Sequence, residues 1–129
     1  MTKSQLTLYL ENRPGELARA TKTLSEAKIN IEGISVVHTT DVSMVQIVVS
    51  NSRNALAALK KANIPVAEQR VAVVSLSNRP GTLAAVANRL AQKNVNINYL
   101  YATTSPVENE CTVIISADDL EAVEAVWRL

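Results

Sequence analysis

The feature that most constrains this chain is an internal repeat. The tetrapeptide Asn-Arg-Pro-Gly occurs at residues 12–15 and again at residues 78–81. A shift of 66 residues aligns residues 12–35 with residues 78–101, and nine of the 24 aligned positions are identical. Apolar positions still coincide between residues 42–50 and 108–116, which predicts a register without a gap. Solenoid repeats are shorter, roughly 20–50 residues. The repeat therefore indicates a small domain duplicated once.

The composition suits two small aliphatic cores. Hydrophobic residues make up 47% of the 129 residues and aromatic residues only 3%. The net charge is +1 without long runs of either sign, which argues against nucleic acid or a membrane surface as a partner. No apolar stretch approaches the roughly 18 residues of a membrane span. Cys111 is the one cysteine, so no internal disulfide can form. We expect a cytoplasmic protein without metal or cofactor.

Hydrophobic periodicity predicts the same order of elements in both halves. In the first half we expect strands at residues 4–11, 29–40, 43–50 and 65–68, and helices at residues 15–27 and 53–62. In the second half we expect strands at residues 71–76, 95–104 and 110–116, and helices at residues 81–93 and 118–128. The sequence thus predicts an α+β fold of two ferredoxin-like βαββαβ modules, residues 1–68 and 69–129. The second module lacks its last strand.

A missing strand has a consequence for assembly. The edge of the strand at residues 71–76 would be unpaired, and proteins cover such edges because they invite aggregation. Modules of about 65 residues are also only marginally stable alone. We therefore expect a homodimer.

The two NRPG turns are the candidate binding sites. Each precedes a helix, and a helix N-terminus offers free N–H groups and a partial positive charge to a carboxylate. Gly15 and Gly81 permit close approach to the backbone. The amides of Asn12 and Asn78 can donate and accept. Asn30 and Asn96 begin the next strands in register, which predicts two amides around one small zwitterion in each half. The predicted ligand-binding residues are Asn12, Gly15, Glu16, Leu17, Asn30, Asn78, Gly81, Thr82, Leu83 and Asn96.

The alternative is that these asparagines only shape turns. Taken singly, that interpretation is stronger, although four asparagines in register favour a site. The two sites need not be equivalent, because Gly33 of the first half is replaced by Tyr99 in the second. Either Tyr99 or Tyr101 could close over a ligand. We expect one tight site and one weak or absent site in each chain.

The pattern strand–NRPGxL–helix–Asn-Ile–strand resembles the ACT domain, a small-molecule-sensing module of amino-acid metabolism. The resemblance covers nearly the whole chain and implies a tandem ACT protein with no enzyme attached. The segment ENRPGEL is similar to the regulatory domain of phosphoglycerate dehydrogenase. That resemblance implies a small amino acid held between paired modules by Asn12 and Asn30, or by Asn78 and Asn96. It implies a regulatory role toward an enzyme or pathway that the sequence does not name.

Residues suited to catalysis are few. The one histidine, His38, is expected at a strand end on the surface, and Cys111, aligned with Val45, is expected to be a small core residue. We expect Trp127 to pack at a core edge. No metal-ligand spacing exists. An acylphosphatase-like hydrolase with Arg13 or Arg79 is the alternative function on this topology. RNA recognition would require exposed aromatic residues on the third strands, which contain none. We predict no catalytic residue.

Overall fold

The computed structural model describes residues 1–105 and 109–127. The strands are β1 (Thr2–Glu11), β2 (Ile31–His38), β3 (Val42–Val49), β4 (Val66–Ser77), β5 (Ile97–Ser105) and β6 (Glu110–Ala117). The helices are α1 (Glu16–Glu26), α2 (Ser52–Lys61), α3 (Thr82–Gln92) and α4 (Leu120–Trp127). The predicted α+β fold with a repeated order of elements is confirmed. Within residues 1–105 and 109–127, none of these helices is long and apolar enough to cross a bilayer.

One strand differs from the prediction. The sequence predicts separate strands at residues 65–68 and 71–76, whereas β4 is a single strand of 12 residues. Gln69 and Arg70, which the prediction treats as a join, belong to it. The segment holds no glycine or proline that would interrupt an extended backbone. The end of one repeat and the start of the next are therefore the same strand.

The chain gathers into two compact units. The first unit is Ser4–Gln69, and the second unit combines Met1–Lys3 with Arg70–Leu129. β1 therefore contributes residues 4–11 to the first unit and residues 2–3 to the second. Likewise, β4 contributes residues 66–69 to the first unit and residues 70–77 to the second.

The first unit has the strand order β2-β3-β1-β4. β1 lies antiparallel to β3, with Leu8 opposite Val45. Strand alternation directs one side of each strand to the helices, and Leu8 packs there in a core with Leu24 of α1 and Leu59 of α2. Burial of a leucine side chain stabilises a fold by about 1.5–3 kcal/mol. Leu17 of α1 lies outside this core and is 42% exposed.

The second unit repeats this plan with the strand order β4-β6-β5. Leu90 of α3 and Val123 of α4 pack in its core with Ile115 of β6. Trp127 packs against this core, and its indole N–H donates to the backbone oxygen of Ser75 at 2.9 Å. The predicted position of Trp127 at a core edge is confirmed.

The sequence predicts that the outer edge of β4 in the second unit is unpaired, and this prediction is wrong. The backbones of Met1 and Val73 exchange hydrogen bonds of 3.2 and 2.7 Å, so the first residues of β1 lie beside β4. Glu124 of α4 holds this segment, because it accepts from the Thr2 hydroxyl at 2.7 Å and contacts the Met1 ammonium at 3.2 Å. Residues 1–3 therefore lie where a fourth strand of the second repeat would pair with β4.

The register of the repeat changes in the β5–β6 hairpin, so the prediction of a gapless repeat is wrong. Leu8 and Val74, which are 66 residues apart, pair with Val45 and Val113, which are 68 apart. Two extra residues therefore lie in this hairpin, where residues 106–108 are outside the described chain. As a result, Cys111 is equivalent to Ser43 and not to Val45.

Candidate functional site

Each NRPG turn borders a hollow in its own unit. The hollow of the first unit has a volume of about 210 Å³, and that of the second about 160 Å³. In the first unit, the lining includes Asn12, Arg13, Glu16, Leu17, Val36 and Ser43. The equivalent residues line the other hollow, namely Asn78, Arg79, Thr82, Leu83, Ala102 and Cys111. The same place in both units is therefore concave, which the repeat alone does not require.

The two turns share an unusual backbone conformation. Gly15 has φ 90° and ψ −15°, and Gly81 has φ 88° and ψ −11°. This left-handed region favours glycine because a Cβ atom crowds the backbone there. A Cβ atom built at either glycine meets no atom within 4 Å. The conformation, and not a lack of space, therefore requires glycine at both positions.

The helices that begin at these turns differ from the other two helices in how they start. Asn51 caps α2 by accepting from the N–H of Asn54 at 3.0 Å, and Asp119 accepts from the N–H of Ala122 at 3.0 Å in α4. Among the described residues, no side chain caps α1 at Gly15 or α3 at Gly81. The first turns of α1 and α3 can therefore offer backbone N–H groups to an anion.

Asn12 has a structural role in the first unit. Its amide nitrogen donates to the backbone oxygens of Thr39 and Thr40, at 3.1 and 3.4 Å, and its oxygen accepts from the Ser43 hydroxyl at 3.5 Å. Asn12 thus fastens the β2–β3 turn to the end of β1. The backbone N–H of Asn12 also donates to the oxygen of Asp41 at 2.9 Å, and the N–H of Asn78 makes the equivalent bond to the oxygen of Asn109 at 3.0 Å. Within the described residues, no side-chain bond of Asn78 is found.

The structure does not bring Asn12 and Asn30 together within the first unit. Asn30 precedes β2, where its backbone bonds to Ser50, whereas Asn12 contacts the residues that follow β2. The eight residues of β2 span about 25 Å. Asn30 lines a separate, shallow hollow beside Lys28. In the second unit, Asn96 precedes β5 in the same way and donates to Asn98 at 3.3 Å.

The hollows differ in charge. In the first, Arg13 lies 3.0 Å from the Glu11 carboxylate, and Glu16 lies 3.9 Å from Arg13 and 3.4 Å from Arg19. The Glu16 side chain is only 13% exposed. In the second hollow, Ser77 and Thr82 take the places of Glu11 and Glu16.

Arg79 of the second hollow is therefore a cation with no acidic neighbour among its described lining residues. The carboxylates of the first hollow repel a ligand carboxylate, whereas Arg79 attracts one.

The two tyrosines of β5 do not line the hollow of their own unit. Leu100 and Ala102 do, and strand alternation places Tyr99 and Tyr101 on the other face. There their rings stack with centroids 6.5 Å apart. Burial, with a smaller contribution from Tyr99, raises the pKa of Tyr101 above its ordinary value. The expectation that a tyrosine closes over the ligand therefore does not hold within this unit.

The structure also shows where His38 and Cys111, the other residues considered for catalysis, lie. His38 ends β2 and is exposed, as predicted. Cys111 lies beside the core of the second unit but is only half-buried, because it borders the hollow. No group of His, Cys, Asp and Glu suited to a metal ion occurs among the described residues. Sequence reasoning missed Val36 and Leu100 at the hollows, although both belong to the helix-facing side of a strand.

The comparisons with known proteins agree with this architecture. The family model of the ACT domain pair matches residues 1–127. This chain belongs to the ACT domain family. The ACT protein is 29% identical to protein BT0572 from Bacteroides thetaiotaomicron, with a TM-score of 0.93 over 99% of this chain and 88% of that chain. No curated protein matches the sequence.

Two further similar structures are described as regulatory subunits of aspartate kinase. The one from Thermus thermophilus, in its ligand-free form, is 24% identical with a TM-score of 0.72, covering 99% of this chain and 93% of that chain. The one from Thermus flavus is 22% identical with a TM-score of 0.68, covering 99% and 94%. At these identities the likeness supports the fold alone.

Proposed function

We propose that this ACT protein is a non-catalytic sensor that binds a small amino acid and regulates an enzyme or pathway of amino-acid metabolism in the cytoplasm. The observation that carries the proposal is the recurrence of a hollow at both NRPG turns, each beside a helix whose first turn has no side-chain cap. A carboxylate is the ligand group that such a helix start favours. The ACT family membership supports the regulatory role.

The ligand carboxylate would lie against the backbone N–H of Leu17, or of Leu83, because the N–H groups of Glu16 and Thr82 already donate to the oxygens of Arg13 and Arg79. Since Asn12 and Asn30 lie at opposite ends of β2, one amino acid cannot contact both within a unit. In the proposed site, one module supplies the hollow and a paired module supplies the second asparagine. Asn78 and Asn96 form the corresponding pair for the second hollow.

We infer that the second hollow is the tighter site. Arg79 can pair with a ligand carboxylate, because no acidic residue is found among the described residues that line this hollow. In the first hollow, Glu16 already occupies the start of the helix, and the Asn12 amide already holds the β2–β3 turn.

A thermal-shift screen with the twenty amino acids tests the proposal. A ligand at a hundredfold excess over its Kd stabilises the protein by about 2.7 kcal/mol. Calorimetry with the amino acid that raises the Tm should then show an affinity at least about tenfold lower for Asn78→Ala, since a hydrogen bond to a charged group is lost. Asn54→Ala, at an exposed position on α2, is the matched control and should bind normally.

Failure of every amino acid to raise the Tm would contradict the proposed function. Hydrolysis of an acyl phosphate by the purified protein would instead favour the acylphosphatase-like alternative. That alternative requires a free arginine; Arg13 is paired with Glu11, so Arg79 would be its candidate.

A further inference from the structure

The second hollow has a polar side and an apolar side. Its polar lining residues lie between the end of β4 and the start of α3, and they are Ser77, Asn78, Arg79 and Thr82. Its apolar lining residues are Leu83 of α3 and residues of all three strands, namely Leu76, Leu100, Ala102, Cys111 and Val113. A cysteine at such a place behaves as a small hydrophobic residue. A ligand in this hollow therefore meets polar groups at one end and hydrocarbon at the other.

The first hollow is not divided in this way. Ser43 of β3 stands where β6 has Cys111, and its hydroxyl donates to the oxygen of Asn12 at 3.5 Å. Glu11, at the end of β1, brings a carboxylate where the second hollow has Ser77. A ligand side chain that enters the first hollow therefore meets polar groups on the strands as well as at the turn.

The apolar side of the second hollow has room for a ligand side chain. Ala102 of β5 stands where β2 has Val36, and its methyl group takes less space than an isopropyl group. Val113 is 1% exposed and Leu83 is 44% exposed, so the apolar side extends from the core to the surface. The volume of about 160 Å³ is close to the roughly 150 Å³ of an apolar cavity that holds a six-carbon ring.

We propose that the second hollow selects an amino acid with an apolar side chain, such as valine, leucine or phenylalanine, over polar and charged amino acids. The ligand carboxylate lies at the polar side, against the N–H of Leu83 and beside Arg79. The ligand side chain lies against Leu100, Cys111 and Val113. The selection rests on the proposed function, in which an amino acid binds here.

Desolvation is the physical reason for this selection. A hydroxyl, amide or charged group loses free energy when it leaves water for a wall that offers no hydrogen bond, whereas an apolar side chain is stabilised there. Of the described lining residues on β5 and β6, none has a side-chain oxygen or nitrogen. A closed pocket of this kind favours valine over threonine by about a hundredfold. Because Leu83 at this hollow is exposed, we expect a smaller preference.

Pairs of amino acids with the same shape test the preference by calorimetry. Valine matches threonine in shape, and leucine matches asparagine, so the members of each pair differ mainly in polarity. We expect valine to bind about tenfold more tightly than threonine, and leucine about tenfold more tightly than asparagine.

The variant Ala102→Val assigns the preference to the second hollow. Its added methyl groups fill the apolar side, so we expect the affinity for leucine to fall by about tenfold. Thr103→Val is the matched control, because the neighbouring residue of a strand faces the other side of the sheet. This control should bind leucine normally. Both variants place a β-branched residue on β5, which suits a strand.

The variant Cys111→Ser provides a second measurement. It gives β6 the residue that β3 has at the equivalent place, and it adds a hydroxyl to the apolar side. The preference for valine over threonine should narrow by roughly three- to tenfold, since threonine can then form a hydrogen bond. An unchanged preference would contradict the contact between the ligand side chain and β6.

Three further results would overturn the selection. They are threonine and asparagine that bind as tightly as valine and leucine, an equal loss of leucine affinity in Thr103→Val and Ala102→Val, and a polar amino acid whose affinity, unlike that of leucine, falls in Ala102→Val. In each of these results an amino acid still binds, so the proposed function stands. If none of the twenty amino acids binds, the proposed function is wrong, and the selection is wrong with it.

Discussion

Gly15 and Gly81 are single residues that set the shape of both candidate sites. Each begins a helix in the left-handed region, and each leaves the first turn of that helix without a side-chain cap. The chain uses asparagine for several other positive φ angles, at Asn63, Asn94 and Asn109. An asparagine at the two helix starts could bond to nearby backbone N–H groups, whereas glycine leaves them available.

Substitution of these glycines should destabilise the protein through the backbone alone. We expect Gly15→Ala and Gly81→Ala each to lower the free energy of unfolding by about 1–2 kcal/mol, the cost of a Cβ atom in the left-handed region. Nothing lies within 4 Å of the added atom, so no further loss is expected. Urea denaturation measures the change. Gly15→Asn should cost less than Gly15→Ala, and an equal cost would contradict a conformational cause.

Residues 16 and 82 should control which hollow accepts a carboxylate. Glu16→Thr removes a negative charge from the start of α1, and a charge near a helix N-terminus changes the interaction with an anion by about 0.3–1 kcal/mol. We expect the affinity of the first hollow for the amino acid to rise by roughly two- to fivefold. Thr82→Glu should lower the affinity of the second hollow.

Calorimetry measures the amino-acid affinity of both variants. Glu26→Gln, at the exposed end of α1, is the control. Equal affinities of the two hollows in the parent protein would contradict this assignment.

At the scale of elements, β1 and β4 are the strands that complete both units. β4 continues from the first repeat into the second without a turn, and residues 1–3 pair with its second part. This exchange places the start of the chain beside α4, where Glu124 accepts from Thr2. Residues 1–3 therefore complete the sheet of the second unit at this edge.

The contact between Thr2 and Glu124 should contribute measurably to stability. The bond is 2.7 Å long, and hydrogen bonds to charged groups contribute about 1.5–3 kcal/mol when buried. Because this contact is part-buried, we expect a coupling of about 1 kcal/mol in a double-mutant cycle of Thr2→Val and Glu124→Ala. Glu121→Ala, exposed on the same helix, is the control and should show no coupling with Thr2→Val.

At the scale of the whole molecule, the two compact units do not correspond to two separate stretches of chain. The second unit contains residues from both ends of the sequence. A cut between Gln69 and Arg70 therefore removes residues 1–3 from the unit to which they belong.

Expression of the two fragments tests this arrangement. We expect residues 70–129 alone to show little protection of the Val73 amide in hydrogen exchange, because its acceptor, the oxygen of Met1, is absent. Mixing with residues 1–69 should restore the protection. Full protection of the Val73 amide in the isolated fragment would show that the second unit forms this edge of its sheet without residues 1–3.

The sequence by itself determined most of the elements and the repetition of the NRPG turns and the helices that follow them. Hydrophobic period and the Pro-Gly turns are local signals, and they located α1, α3 and the flanking strands within a few residues. The two glycines of the repeated motif share a left-handed conformation, which the structure adds to the prediction. Such features depend on neighbours in the chain, so one sequence is enough to predict them.

Only the tertiary structure decided which distant residues meet. The pairing of Met1 with Val73, the separation of Asn12 from Asn30 along β2, and the two extra residues before β6 all depend on strand register. Register is set by cross-strand packing between segments far apart in the chain, and a local pattern fits several registers equally well. For the same reason the sequence could not show that Val36 and Ser43 border the hollow at Asn12.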